Sequence, residues 1–515
     1  MRASYPVPDS PAGESPADDT PAGRLARLLA RIDRAAVAAF ALPLLLYLLT
    51  LAPTIYNLDS AELTTAAATG GILRATGYPL YLALGKLWAL LPVGDVGYRF
   101  NLLSAVCAAL TILQAELILR RLRVGGLARL GALGLLATAP YFWSMSLIAE
   151  VYTLHTALMA GVILSLLRWA EQPTPLRFAL PVFLMALSMG NHAATVLLIP
   201  GSVLFVLLRH PRQLLRPRVW LAGALGAAVG LSIFLTLPLR HAANPAFNYA
   251  GSFDGSGVFH PVNLQSLEGI LWLITGRSFA GQMFGYSLRE VSGEFFAYGV
   301  ELWQAFVAVG IGPGLLGALL LLRRDWRTGG LLSLMFALNV LFYVNYRVVD
   351  KNTMFLPTYL IWALWLGVGY QAVLNWLRRT DGPRSLATWG ARLVMITAIF
   401  FAITWNGPRV DQSEDVSTRQ QSEEILRLVE PNAIVLGWWE TVPGVQYLQF
   451  VEGQRPDVLA INRFLISGAD METLIRTQAP TRPIYINNPP LSLIQTMRVT
   501  KVGPLYRLQP ARAAH

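Results

Sequence analysis

The chain is poor in charge, in histidine and in cysteine. Of its 515 residues only 14% are charged while 54% are hydrophobic, whereas soluble globular domains carry roughly a quarter charged residues. An ordinary soluble protein is therefore excluded. The single cysteine, Cys107, lies in an apolar run, so no intrachain disulfide can form. The six histidines are scattered and make no His-x-Glu-x-x-His pattern, so no preformed zinc site is expected. A Walker loop, a serine nucleophile elbow and a repeat of 20–50 residues are also lacking.

What the chain has is long hydrophobic runs. A spanning helix needs roughly 20 mostly apolar residues, and such runs recur from Ala35 to Trp405. Eleven spans are expected, over 35–53, 98–119, 128–143, 153–169, 177–190, 193–208, 219–238, 298–322, 329–346, 356–377 and 386–405. The formal charge of +11 would suit nucleic acid, but its placement argues for topology instead. Arginines cluster at Arg24/Arg27/Arg31/Arg34, Arg120/Arg121/Arg123/Arg129, Arg168/Arg177, Arg209/Arg212/Arg216/Arg218, Arg323/Arg324/Arg327 and Arg378/Arg379/Arg384/Arg392, at alternate ends of the runs. Under the positive-inside rule these are cytoplasmic, with the amino terminus inside and the carboxyl terminus outside. Residues 1–34 read as a Pro- and Ala-rich disordered tail with a basic flank, and the first apolar run as an uncleaved span.

The membrane region, 35–405, then carries two long outer loops, 54–97 and 239–297, and shorter outer segments at 144–152, 191–192 and 347–355. The stretch 78–91 is apolar but short, and is expected to lie along the outer surface. The fifth and sixth spans meet at Gly190-Asn191-His192; a polar break is tolerated there only inside protein or beside a wet cavity. Residues 406–515 change composition. Strands are expected at 433–437, 457–461 and 483–486, with helices at 445–451 and 470–477 between them, giving a small α/β domain with a partly parallel sheet.

The candidate chemistry begins at Asp59-Ser60-Ala61-Glu62, just past the first span. A carboxylate within the bilayer is costly, so this pair belongs at an interface. The spacing matches a helix capping box, and equally a general base facing water beside a second acid. Gly77-Tyr78-Pro79 breaks the segment and starts the surface helix. Arg99 and Asn101 open the second span, Arg99 as an interfacial anchor or a ligand. Glu150-Val151-Tyr152 occupies a loop so short that Glu150 must meet a partner, either Arg99 or an acceptor. His192 sits at the broken-span apex, as a structural residue or a cavity group. Arg240, Arg277, Arg347 and Lys351 run against the positive-inside trend. They either snorkel to headgroups or converge on an anionic lipid phosphate, which arginine binds bidentately. Paired carboxylates can also hold a divalent cation, so metal dependence stays open.

In order and spacing, Ala52-Pro53-Thr54, Asp59-Ser60-Ala61-Glu62-Leu63, Gly77-Tyr78-Pro79-Leu80, Asn101-Leu102-Leu103-Ser104, Glu150-Val151-Tyr152-Thr153-Leu154 and Asn191-His192 resemble a large family of multi-span proteins long known only as a domain of unknown function. Its animal members resemble protein O-mannosyltransferases, and the group is similar to the GT-C glycosyltransferase superfamily. The resemblance covers residues 45 to 370. It implies a polytopic GT-C-like fold and an inverting transfer of sugar from a polyprenyl-phosphate donor to an acceptor hydroxyl outside the membrane. Asp59 stands where such enzymes carry the base, with Glu62 beside it and Arg240 matching a basic residue that stabilises the departing phosphate. Arg277, Arg347 and Lys351 would join that phosphate site; Tyr78, Arg99, Asn101, Glu150, Tyr152 and His192 would line the acceptor cavity. The chain departs from many relatives in having Arg74-Ala75-Thr76 where they have His-Pro-Pro. The acceptor is a protein, a glycolipid or a cell-wall polymer. The Arg-, Ala- and Leu-rich usage points to a bacterial cytoplasmic membrane. The competing readings are a secondary transporter, which places ionisable groups at the midplane of two related halves, and a non-catalytic membrane scaffold for lipid-linked sugars.

Overall fold

A computed structural model describes residues 33–57 and 59–510; the expected tail over 1–34, but for its last two residues, lies outside them. Six helices are long and apolar enough to cross a membrane: Val96–Arg121, Tyr152–Glu171, Pro217–Ala242, Trp326–Val344, Lys351–Thr380 and Leu386–Val410. Four shorter apolar helices, Arg34–Leu49, Gly126–Ala137, Pro175–Met189 and Ala193–Arg209, fall on four further expected spans.

The expected span over 298–322 is corrected. It is two helices, Leu288–Ala305 and Ile311–Arg324, separated where Val307 and Ala308 take left-handed backbone angles, φ 51° and 58°. The first helix carries Glu290, Glu294 and Glu301, too many charges for a lipid-facing span. The second packs against Lys351–Thr380 so closely that a Cβ on Gly317 would lie 1.8 Å from the Trp365 carbonyl, and one on Gly369 1.8 Å from that of Pro313. Only glycine permits that approach, the usual device for helix pairs in a bilayer.

Two helices end early, and the freed backbone groups find partners, as membrane burial requires. Gly126–Ala137 stops before Pro140; the Tyr47 hydroxyl donates to the Ala137 carbonyl at 3.0 Å and the Asn406 amide to that of Thr138 at 2.8 Å. Pro175–Met189 stops at the expected break. There the Leu80 amide donates to the Gly190 carbonyl at 2.9 Å, and the Asn191 side chain donates to the Val151 carbonyl at 3.0 Å.

The basic loops gather at one end of the bundle. Arg209 pairs with Asp325 at 3.2 Å, Arg324 donates to the Leu122 carbonyl at 2.6 Å and Arg327 to that of Leu208 at 2.9 Å. Arg120 pairs with Asp33, and Arg121 with Glu171.

The carboxyl-terminal domain holds a five-stranded sheet of β3 (Ile434–Gly437), β4 (Leu459–Asn462), β5 (Ile484–Ile486), β6 (Met497–Val502) and β7 (Leu505–Pro510); a separate hairpin pairs β1 (Gly251–Phe253) with β2 (Phe259–Pro261). The order is β4-β3-β5-β7-β6: β3 is parallel to β4 and β5, with Val435 opposite both Ala460 and Tyr485, and β7 is antiparallel to β5 and β6. The three expected strands form the parallel part. The β6–β7 hairpin, turning at Gly503 with φ 57°, adds an antiparallel edge. Helix Val442–Phe450 packs on helix Asp59–Thr69, and Ile55 and Ala61 share one apolar core with Ile425, Val442, Val445 and Leu448. The domain is thus seated on the segment that follows helix Arg34–Leu49.

Candidate active site

Asp59 and Glu62 stand in the first turn of helix Asp59–Thr69, where the helix dipole favours negative charge. The helix ends at Gly70, φ 79°, and the chain doubles back. The Ile72 amide donates to the Phe247 carbonyl at 3.0 Å and the Tyr249 amide to that of Ile72 at 2.9 Å; a Cβ on Gly71 would meet the Phe247 carbonyl at 2.6 Å. This return carries Arg74 beneath the acids. Tyr78, in a left-handed conformation at φ 44°, then starts helix Pro79–Trp88.

Arg74 Nη2 bonds Asp59 Oδ1, and Arg74 Nε lies 3.5 Å from Glu62 Oε2. Glu62 Oε2 accepts from Trp439 Nε1 of the carboxyl-terminal domain at 2.8 Å. The guanidinium also sits 5.0 Å from the Trp439 ring centroid and 5.8 Å from that of Phe279, both within cation–π range. Asp59 remains partly exposed, with 23% of its side-chain surface open, against 2% for Glu62.

Asp59 and Arg74 open on a cavity of about 140 Å³, whose walls include Tyr78, Tyr152, His192, Phe279, Met283, Tyr346 and Asp350. Burial pushes the Glu62 carboxyl up to about 7; Arg74 and the indole N–H oppose the rise, and the Asp59 charge adds to it. Burial, then the charges of Asp59 and Asp350, holds Glu150 well above the usual carboxyl range. Burial and Asp59 raise Asp350 likewise. One guanidinium therefore serves several crowded acids.

Of the residues singled out in the sequence, Asp59, Tyr78, Tyr152 and His192 line this cavity. Glu150 is 6% exposed, and its Oε2 has no hydrogen-bond partner among the described residues. Its expected pairing with Arg99 is corrected: Arg99 instead donates to the carbonyls of Ala89, Val93 and Gly94 at 2.6, 2.9 and 3.1 Å, closing off the end of helix Pro79–Trp88. The Asn101 side chain braces the first loop, donating to the carbonyls of Ala52 and Thr54 at 2.9 and 2.8 Å.

Arg240, Arg277, Arg347 and Lys351 do not converge on the acids. Arg240 donates to the Gly71 carbonyl at 3.1 Å. Arg277 is exposed, directly after the cavity residue Gly276. Arg347 lies 3.8 Å from Glu290 and 5.4 Å from the Tyr286 ring. Lys351 is buried, pairs with Glu294 and donates to the Tyr286 hydroxyl at 3.1 Å. Sequence reasoning passed over Arg74 as a site residue although it marked the departure from the His-Pro-Pro pattern. It also passed over Trp439, for which the adjacent Trp438-Trp439 pair after a buried strand was the available signal. Among the described residues, no group of three or more His, Cys, Asp or Glu side chains could hold a metal ion.

The fold is that of the ArnT class of polytopic membrane proteins. ArnT of Cupriavidus metallidurans, solved in complex with undecaprenyl phosphate, superposes with a TM-score of 0.56, covering 93% of this chain and 98% of that one at 13% identity; its apo form gives the same score at 14% identity. Part of the sequence is similar to TMEM260. Residues 59–215 match the family described as protein O-mannosyl-transferase TMEM260 N-terminal domain, a region that holds Asp59, Glu62, Arg74, Tyr78, Glu150 and His192. The protein O-mannosyl-transferase TMEM260 of Mus musculus is 30% identical over 213 residues, covering 40% of this chain and 30% of its own length. Its Dictyostelium discoideum counterpart is 22% identical over 469 residues, covering 82% and 56%. The chain thus spans about a third to just over half of these relatives.

Proposed function

We propose that the protein is a membrane glycosyltransferase of the GT-C type, moving a sugar from a polyprenyl-phosphate-linked donor to an acceptor hydroxyl with inversion. Asp59 is the general base. The observation that carries this reading is a partly exposed carboxylate opening on a cavity at the end of the bundle away from the basic loops. A lipid-borne sugar is reached at the membrane surface, so base, phosphate contacts and acceptor site have to meet there. The names of the relatives and the undecaprenyl phosphate bound by ArnT support a lipid-phosphate donor and suggest mannose and a protein acceptor.

In this mechanism the acceptor hydroxyl hydrogen-bonds Asp59, which takes its proton as the oxygen attacks the anomeric carbon. The bond to the lipid phosphate breaks on the opposite face. Arg74, already in the cavity, is released from Asp59 toward the departing phosphate, and Arg277, Arg240 and Arg347 supply positive charge at the rim, with Lys351 holding the 346–351 segment in place. Tyr78, Tyr152 and His192 shape the acceptor side. Glu62 anchors Arg74, and Glu150 adds a neutral hydrogen-bonding group near the site. The Arg-rich loops face the cytoplasm and the α/β domain faces outward from the bacterial cytoplasmic membrane.

The test is transfer of labelled sugar from polyprenyl-phosphate mannose, and from other such donors, by purified protein in detergent. The starting chain is expected to transfer, and Asp59→Asn to lose about 10²–10⁴-fold in rate. Equal transfer by both would remove Asp59 from the mechanism.

A further inference from the structure

The outer α/β domain does more than sit over the bundle. From β3 the chain passes through Trp438, Trp439 and Glu440 into helix Val442–Phe450. That turn is tightly held. The Thr441 and Val442 amides both donate to the Trp438 carbonyl at 3.0 Å, and the Asn487 side chain donates to Glu440 Oε1 at 2.7 Å and to the Thr441 hydroxyl at 3.0 Å. Trp438 lies nearly parallel to Trp439, 6.4 Å away, with Arg463 4.7 Å from the Trp438 ring centroid. Phe464 packs on Trp439 at 5.0 Å and on Phe279 at 5.6 Å. The indole is thus fixed from several sides, and its N–H points at Glu62 while its ring carries Arg74.

We propose that Trp439 is a positioning residue of the transfer site: its indole N–H fixes the Glu62 carboxylate and its ring holds the Arg74 guanidinium, so the α/β domain completes the site in the membrane region. The proposal rests on the transferase reading only for its effect on turnover; the contacts stand without it. A hydrogen bond to an ionised carboxylate is worth more than one to a neutral carboxyl, so the contribution of Trp439 has to follow the charge on Glu62. The groups facing Glu62 are Asp59 on its own helix, Arg74 and Tyr78 on the returning segment, and Tyr249 from the long outer loop. Glu150 and Asp350 lie nearer to Asp59 and Arg74.

The test uses the purified full-length chain and Trp439→Phe, which keeps an aromatic face for Arg74 and removes only the N–H. Thermal unfolding is followed at pH 8 and pH 5.5, on either side of the Glu62 value of about 7. Trp439→Phe is expected to lower the midpoint at pH 8 by at least about twice as much as at pH 5.5, since bonds to charged groups run at roughly twice the neutral strength. Equal lowering at both pH values overturns the proposal, because lost packing has no such dependence. In the transfer assay the limb of the pH–rate profile that follows ionisation of Glu62, the anchor of Arg74, should move up by about one pH unit, and Trp438→Phe should leave it in place. An active Trp439→Phe with an unmoved limb likewise overturns it. A starting chain that transfers no sugar counts against the transferase reading instead, and the unfolding comparison then decides the role of Trp439.

Discussion

Two clusters of ion pairs near the cavity are built on opposite plans. Around Lys351 each cation has an acid of its own, Lys351 with Glu294 and Arg347 near Glu290, with Tyr286 between the two cations and Glu301 as one further acid that feels Lys351. Around Arg74 the charges do not match. A single guanidinium, 11% exposed, is shared by Asp59 and Glu62, with Asp350 and Glu150 close enough to feel the charge of Asp59. A matched cluster has little electrostatic reason to rearrange. The unmatched one holds carboxyls whose protonation is poised by their neighbours, the condition in which a small change in charge redistributes protons and contacts. Such perturbed groups gather at functional sites, and this contrast separates a fastening from the proposed reaction centre.

The largest effect expected is at the centre of the unmatched cluster, where Asp59→Asn loses about 10²–10⁴-fold in transfer rate with the chain still folded, as gel filtration and thermal unfolding would show. Arg74→Ala comes next. It strands Glu62, 2% exposed, without its cation, and removing one partner of a buried pair costs roughly 3–5 kcal/mol. Both the unfolding midpoint and transfer should fall; a variant as stable as the parent would show that Arg74 does not hold the acids.

Glu62 gives a signed test. Its folded value of about 7 stands above the ordinary 4.5, so the folded state binds the extra proton between these limits. The stability this contributes is full below pH 4.5 and is lost as pH rises through 7. The loss is on the order of 3 kcal/mol. Glu62→Gln should therefore flatten the decline in midpoint between pH 5 and pH 8.5, and a decline of unchanged slope would place the titration elsewhere.

The sequence exposed the two clusters unequally. Asp59 and Glu62 were legible because acids at the end of an apolar run must face something other than lipid. The break at Gly190–His192 was legible for a related reason, since a polar turn between apolar helices needs partners, and Asn191 has one. Arg74 was visible only as a departure from pattern. Its place under Asp59 depends on a turn at Gly70 and on pairing of Ile72 with Phe247 and Tyr249, a contact no local periodicity reports. Trp439 reaches Glu62 across 377 positions of chain, which only the docking of helix Val442–Phe450 on helix Asp59–Thr69 brings about. The span over 298–322 misread for the opposite reason: its composition averages to apolar, but the break at Val307–Ala308 and the glutamates of Leu288–Ala305 divide it. The β6–β7 hairpin is half exposed and basic, so its alternation was faint, although the Gly503-Pro504 turn was there to be seen.

The matched cluster supplies the smallest effect. Arg347 is 60% exposed on its side chain and 3.8 Å from Glu290, and exposed pairs of this kind contribute about 0–1 kcal/mol. Arg347→Ala should leave the unfolding midpoint almost unchanged. In the proposed mechanism it is a rim cation acting on an anionic donor through long-range attraction, which salt screens over about 10 Å at 0.1 M. The variant should therefore raise KM for the donor a few-fold at low salt, leave kcat alone, and match the parent near 1 M salt, where screening shortens to about 3 Å. A kcat that fell as far as in Arg74→Ala would erase the distinction between the clusters and move the phosphate contact to the 346–351 segment.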